Sequence, residues 1–363
     1  MRDIMHFSNR NSESMPFGGK TIVFGGDFRQ ILPVIPKGRR QDIVNATINA
    51  SYIWDHCQVL KLTKNMRLQA AHTSVDRAGL GDFAEWILKV EDGAIGNKTD
   101  GLYACTIKIP DDILIREWHD PIKAIVDHTY AEYINDPSND NHLEKVAVLA
   151  PTLQIVDDIN DYMMSLSSND IETFLSSDTV SKSKFQNDFI ASIHTPEFIN
   201  TIKCSGVPNH VLKLKVGIPI MLLRNIDHSA GLSNGTRMVV TKLGKRVIKA
   251  KILPGTSMGQ KFFIPRMTLT LSDHRIPFKF QRRQFPIMVS YGMTINKSQG
   301  QSLSRVGLLL KNHVFCHGQL YVAITRVTSR SGLKIVVAHD HKEDECVDDT
   351  HNVVYKEVFR NVS

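Results

Sequence analysis

Short buried-strand signals alternate with helical periods along most of this chain, and that alternation limits its fold more than any other feature. Residues 21–24 (TIVF) read as a strand, halted by Gly25 and Gly26. Residues 41–54 place Ile43, Ala46, Ala50 and Trp54 near one face of a helix. A second strand is expected at 59–62 (VLKL), helices at 79–90 and 121–134, and a compact strand at 146–150 (VAVLA). Pro151 and Thr152 then open a helix that runs through Met164. Strands that alternate with helices predict a parallel sheet. Between about 211 and 284 the texture changes to short β-rich runs, with Asn234-Gly235 as a hairpin signal. That tract predicts a small antiparallel barrel. After Phe285 the α/β pattern returns. A strand is expected over 285–292, a helix start at Thr294, a strand at 306–310, a helix near 317–327 and a strand at 334–338.

At 363 residues the chain is long enough for two or more domain cores. No apolar run reaches the roughly 18 residues that a membrane span needs, and no signal-peptide pattern opens the chain. Its five cysteines are scattered, with no C-x-x-C pair, so neither a zinc site nor a disulfide framework is expected. These features predict an intracellular protein in a reducing compartment, away from membranes and without a structural metal. Charge is distributed unevenly. Residues 201–340 hold 22 Lys and Arg against 3 Asp and Glu, whereas the rest of the chain holds 22 against 34. A polyanion such as a nucleic-acid backbone is the partner that such asymmetry fits; a merely solvated basic face and a basic half packed on the acidic half are the other readings.

Four segments could carry chemistry. Gly25–Val34 (GGDFRQILPV) follows a strand signal directly, and in open α/β sheets ligands bind at the carboxyl ends of strands. Asp27, Arg29 and Gln30 would then face a cleft, or else cap a polar turn. In Leu60–Leu68 (LKLTKNMRL), Arg67 could fork onto a phosphate, or form a surface ion pair. Tyr291–Leu303 (YGMTINKSQGQSL) runs from a strand into Thr294, a good N-cap, and then into small polar residues and Gly300. Helix starts of this kind attract phosphates, though a plain capped helix has the same pattern. In Gly318–Arg330 (GQLYVAITRVTSR) the helical period buries Leu320, Ile324 and Val327 and leaves Arg326 off that face. Arg326 could stabilise transferred phosphoryl charge, or sit on the surface near a helix end.

In order and spacing the four segments resemble the late motifs of the petite-integration-frequency (Pif) helicases of superfamily one, especially the plant and Helitron-transposon forms. The resemblance runs from about residue 16 to 340. It rests on GGDFRQILPV, on Leu62–Arg67, on LKVGIPIMLLRNID with Gly231-Leu232 and Asn234-Gly235 after it, on INKSQGQSL and on YVAITR. It implies an α/β fold of RecA-like parallel sheets, the P-loop NTPase class, with an inserted small antiparallel β-barrel. Residues 1–58 would close the first RecA-like domain, 59–212 and 285–340 would form the second, 213–284 the insert, and 341–363 an acidic tail. The implied activity is ATP-dependent DNA unwinding, 5′ to 3′, in DNA repair, recombination, telomere or transposon maintenance, by a monomer in the nucleus or mitochondrion. Gln30, Arg67 and Arg326 would meet the ATP γ-phosphate, with Asp27 and Gly300 also at the nucleotide. Pro151, Thr152, Thr294, Lys297, Ser298 and Gln299 would touch single-stranded DNA, drawn from a duplex or fork. Lys213, Lys215, Arg282, Arg283 and Lys297 could line the same basic groove.

Two departures stand out. Asn296 occupies the place where the family commonly has His. The sequence also lacks a G-x-x-x-x-G-K-[ST] loop and the Asp-Glu pair that would hold Mg2+. Ser14–Thr21 (SMPFGGKT) comes nearest, but its first glycine is Ser14 and its Gly-Lys-Thr runs into a strand signal rather than a helix. The expectation is therefore a C-terminal segment that opens inside the first RecA-like domain, inactive in ATP hydrolysis by itself. A non-catalytic remnant that binds single-stranded nucleic acid is the alternative.

Overall fold

The structure, a computed structural model, describes residues 2–7, 10–66, 74–98, 104–180, 195–204, 206–253, 257–271, 279–339 and 348–360. It divides into two compact units. The first comprises 1–108, 314–325 and 349–363, and the second comprises 109–313 and 326–348. Helices and strands are numbered along the chain.

In the first unit, helices α1 (Arg2–His6), α2 (Arg40–Asn45), α3 (Ser74–Glu91) and α8 (Gln319–Ile324) accompany an antiparallel sheet. Its central strand β2 (Ala104–Lys108) pairs with β1 (Asn97–Lys98) and β17 (Asp349–Val353). The helix expected over 41–54 stops after Asn45 and gives way to 3-10 turns at Ile48–Ala50 and Trp54–His56. Thr47 Oγ1 donates to the Val44 carbonyl at 2.6 Å, taking an acceptor that a continuing helix would use. The strands expected at 21–24 and 59–62 do not form. An extended run becomes a strand only when its backbone polar groups find a neighbour. Among the described residues neither run has such pairing, and Val23 and Leu62 stand 90% and 102% exposed.

The second unit holds the parallel sheet that the alternation predicts, in the order β14 (Gly292–Thr294), β3 (Val146–Ala150), β15 (Arg305–Leu310), β16 (Leu333–Val337). All five residues of β3 are buried, as expected for a strand covered on both faces. Helix α4 (Pro121–Thr129) starts at Pro121 with the Asp120 carboxylate accepting from Ile122 N at 2.8 Å. The helix expected over 121–134 breaks at Tyr130 into α4 and α5 (Ala131–Asn135). Tyr130 is drawn inward, where its hydroxyl donates to the Tyr291 carbonyl at 2.6 Å and its ring meets those of Tyr133 and Tyr291. Helix α6 (Leu153–Leu166) follows β3 and buries Ile155, Val156, Ile159, Met163 and Met164, and a short helix α7 (Pro196–Thr201) starts after Thr195, whose hydroxyl accepts from Phe198 N at 3.3 Å.

The β-rich tract contributes to several antiparallel sheets. Five strands run in the order β10 (Lys261–Pro265), β9 (Val247–Ile252), β8 (Arg237–Lys242), β7 (Pro219–Leu222), β13 (Ile287–Val289). Three run in the order β11 (Met267–Leu271), β12 (Phe280–Gln284), β5 (Ser177–Val180), and β4 (Glu172–Leu175) pairs with β6 (Val211–Leu214). The strand expected over 285–292 is thus shared between two sheets: β13 pairs antiparallel with β7, and β14 pairs parallel with β3. At the bend between them Arg237 Nη2 donates to the Ser290 carbonyl at 3.2 Å. Arg237 is fully buried there, and burial pulls its pKa down.

Candidate functional site

Asp27 organises the first motif. Its Oδ1 accepts from Arg29 N at 3.0 Å and its Oδ2 from Gln30 Nε2 at 3.1 Å. Tyr321 Oη, on α8, donates to the same Oδ2 at 3.2 Å. The first and fourth motifs therefore meet within the first unit, a juxtaposition that neither segment indicates alone. His317 adds a second tie. Its Nδ1 accepts from Tyr355 N at 2.7 Å, so Nε2 carries the proton and donates to the Phe28 carbonyl at 2.8 Å. Burial lowers the His317 pKa, in keeping with a neutral ring. From α3, buried Glu91 pairs with Arg29 Nε. Desolvation raises the Glu91 pKa to about 7 against the pull of Arg29. Gly318 has φ +69, and a Cβ there would overlap the Arg29 carbonyl oxygen. Glycine is what lets the start of α8 approach the loop this closely. Tyr321, His317 and Glu91 were missed in the sequence, though Tyr321 opens YVAITR itself.

The Gly-Lys-Thr of Gly19–Thr21 begins on the last residue of a 3-10 turn at Pro16–Gly19 and continues as irregular chain, with no helix directly after it. Arg67 lies outside the described residues.

Within the second unit, parallel pairing sets Thr294 opposite Ala150, so the segments after β14 and β3 leave the carboxyl ends of neighbouring strands. Pro151, Thr152, Thr294, Lys297, Ser298 and Gln299 all lie on those two segments. Thr294 precedes a 3-10 turn, Ile295–Ser298, rather than the expected helix, and its hydroxyl makes no cap hydrogen bond. Ser298 accounts for the tight turn: it is fully buried and its hydroxyl donates to the Ile295 carbonyl at 2.7 Å. Thr152 precedes α6 and likewise makes no side-chain cap bond. Lys297 is half-buried, and its pKa is lowered first by burial and then by the neighbouring Arg224 charge. Gln299 and Gly300 are exposed, with Gly300 at φ +81.

Arg326 is neither on the surface nor at a free helix end. It is buried, and its Nη1 donates to the carbonyls of Ser298 at 3.3 Å and Gln301 at 3.1 Å. It thereby holds the turn that carries Lys297 to Gly300. A cavity of about 320 Å3 adjoins this turn, lined by Gly235, Thr236, Arg237, Gly300, Gln301 and Ser302 among others.

Two of the cations expected to line a basic groove are internal instead. Lys215 is buried, with Nζ donating to the carbonyls of Met164 at 2.9 Å and Ser167 at 2.6 Å, where it satisfies the end of α6. Arg282 pairs with Asp178 and donates to the Ile199, Ile202 and Pro208 carbonyls. Both side chains of that pair are 1% exposed.

The described residues offer no self-contained metal cage. They contain no cluster of three His, Cys, Asp or Glu able to hold a metal, and the Asp27 carboxylate is taken up by Arg29, Gln30 and Tyr321. Among the described residues no helix is long and apolar enough to cross a membrane.

Two family models match the chain: PIF1-like helicase over residues 1–101, and the 2B domain of DNA helicase Pif1 over residues 197–243. Human ATP-dependent DNA helicase PIF1 is 32% identical over 151 residues, 41% of this chain and 23% of that protein. The zebrafish (Danio rerio) PIF1 helicase is 26% identical over 328 residues, covering 88% of this chain and 41% of that protein. The match thus spans less than half the length of either relative. Among solved structures, Pif1 helicase from Candida albicans aligns over 99% of this chain and 74% of its own, with TM-score 0.58 and 21% identity. Bacteroides Pif1 bound to ssDNA aligns over 94% and 68%, with TM-score 0.57 and 21% identity. These two share the fold of this chain.

Proposed function

We propose that the chain, similar to PIF1-like helicases over residues 1–101 and to the Pif1 2B domain over residues 197–243, is a member of that family and carries strand-gripping and phosphate-sensing machinery of an ATP-dependent DNA helicase. The observation that carries this reading is that the two threonine-bearing segments, 151–152 and 294–301, leave the carboxyl ends of adjacent, paired parallel strands. Thr152 and Thr294 do not cap their own helical turns, so both hydroxyls are suited to phosphate oxygens of a single strand. The start of α6 adds a favourable dipole for an anion.

Gln30 and Arg326, with Arg67, are the residues we assign to the ATP γ-phosphate. Arg326 supplies a physical link between nucleotide and strand. It already binds the carbonyls of Ser298 and Gln301, so a phosphoryl group that recruits its guanidinium would alter the turn bearing Lys297. Asp27, held by Tyr321, would fix the Gln30 amide for a water or phosphate oxygen. ATP would arrive as its magnesium complex, the metal neutralising phosphate charge. From the family resemblance we also carry over 5′ to 3′ movement and a role in DNA repair, recombination, telomere or transposon maintenance in the nucleus or mitochondrion.

The test is a phosphate-release assay with single-stranded DNA. The 363-residue chain by itself should show negligible turnover, since its sequence has no G-x-x-x-x-G-K-[ST] loop. Fused behind the phosphate-loop domain of a PIF1-like relative, it should hydrolyse ATP in response to DNA. Arg326→Ala in that fusion should then cost on the order of 10³-fold in rate. A fusion that binds DNA but never hydrolyses ATP would favour the non-catalytic reading.

A further inference from the structure

The outer face of the five-stranded sheet has a use that the threonine-bearing segments do not absorb. Strands β9 and β10 bury Ile248, Ala250, Ile252 and Ile264 on one side. On the other side Phe263 is 64% exposed, near the middle of edge strand β10. Its register partner on β9 is Lys249, whose Nζ lies 5.4 Å from the ring centroid. Lys261 follows the same phase and pairs with Lys251, and Lys242 pairs with Lys249 from β8. Lys245 and Arg246 are exposed in the turn between β8 and β9. Residues 228–272 contain eight Lys and Arg and no Asp or Glu. Lys251 has an acidic partner from elsewhere, Asp140 at 2.7 Å.

Edge strands often carry Lys and Pro simply to block pairing with another sheet, and Lys261 and Pro265 serve that end. Phe263 does not: an exposed large ring on an edge works against such protection and costs apolar exposure to water. An exposed ring with a lysine over it and further cations along the same strands is instead an arrangement that can stack a base while the neighbouring charges meet phosphates. A duplex keeps its base faces stacked internally, so only an unpaired strand can use the ring.

We propose that Phe263, with Lys249 and Lys261 beside it and Lys242, Lys245 and Arg246 at its flank, forms a second single-strand platform on the outer sheet face, separate from the threonine-bearing segments. The proposal rests on the reading of the chain as a nucleic-acid-binding helicase component, and its test separates the two.

The measurement is fluorescence anisotropy of a labelled oligothymidylate, run beside the intrinsic fluorescence of F263W, a substitution at an exposed site. The indole of F263W should be quenched in step with the rise in anisotropy. F263A should weaken binding about fivefold or more with little change in salt slope. K249A and K261A should each reduce the slope of log affinity against log salt by roughly 0.7. Anisotropy that rises while the F263W signal stays constant and F263A binds normally would overturn the platform and leave the threonine-bearing segments as the binding site. No rise with any variant would overturn both readings. Equal quenching by a blunt duplex would overturn the stacking role. A change of oligomeric state in F263A would assign the ring to contact with a second copy of the chain.

Discussion

Arg282 shows how a basic residue can be counted toward a surface and spent in a core. Its guanidinium faces Asp178 and three backbone carbonyls, all within the second unit. A buried pair of this kind is costly to half-remove, because the surviving charge keeps its desolvation penalty without its partner. Arg282→Met should destabilise the protein by about 3–5 kcal/mol, read as a lowered urea midpoint. Arg282→Met with Asp178→Leu should recover much of that loss, since two apolar side chains leave no stranded charge. The adjacent, exposed Arg283→Ala should stay within about 0.5 kcal/mol of the parent. If Arg282→Met is as mild as Arg283→Ala, the ion pair does not hold this sheet. The inward phase of Arg282 was legible in principle. In FQRRQ, Phe280, Arg282 and Gln284 share one face of the strand, and all three are buried. Counting charge over 140 residues discards that alternation.

At the scale of elements, segments with two covered faces were readable and segments dependent on distant partners were not. VAVLA and VGLLL are continuous apolar runs, and they form β3 and β15 within a residue of the expected bounds. TIVF and VLKL have the same texture, yet no described strand pairs with them. Local composition encodes the capacity to be a strand, whereas the partner is encoded elsewhere. The bend at Ser290–Tyr291 was hidden for a similar reason, since Arg237, which donates to the Ser290 carbonyl there, is 53 residues away along the chain. The approach of α8 to the Asp27 loop follows the same logic. Gly318 combines a positive φ with the absence of a Cβ that would meet the Arg29 carbonyl. Gly318→Ala should therefore cost about 1–3 kcal/mol of stability and loosen the Tyr321–Asp27 contact. Hydrogen exchange at the Arg29 and Gln30 amides would report it, and protection equal to that of the parent would mean the loop does not depend on this approach.

For the molecule as a whole, the relevant quantity is how much of the positive charge can reach a polyanion. Residues 201–340 hold 22 Lys and Arg, but Lys215, Arg237, Arg282 and Arg326 are buried. Lys203, Lys251, Arg305 and Arg330 each pair with a carboxylate. The binding footprint is therefore much smaller than the segment's formal charge, and it rests on exposed groups such as Lys213, Lys242, Arg246, Lys261 and Arg283. Each phosphate that such a group neutralises releases counterions and contributes roughly −0.7 to the slope of log affinity against log salt for a single strand. Oligonucleotide binding to this chain should accordingly be weak and steeply salt-dependent, yet shallower than a count of 22 cations would require. Anisotropy titrations at rising salt give the slope directly. A flat response would mean that the accessible cations are taken up by the acidic remainder of the chain. A slope near −0.7 for every basic residue in the segment would mean that the buried cations release to the strand, contrary to their carbonyl and carboxylate contacts here.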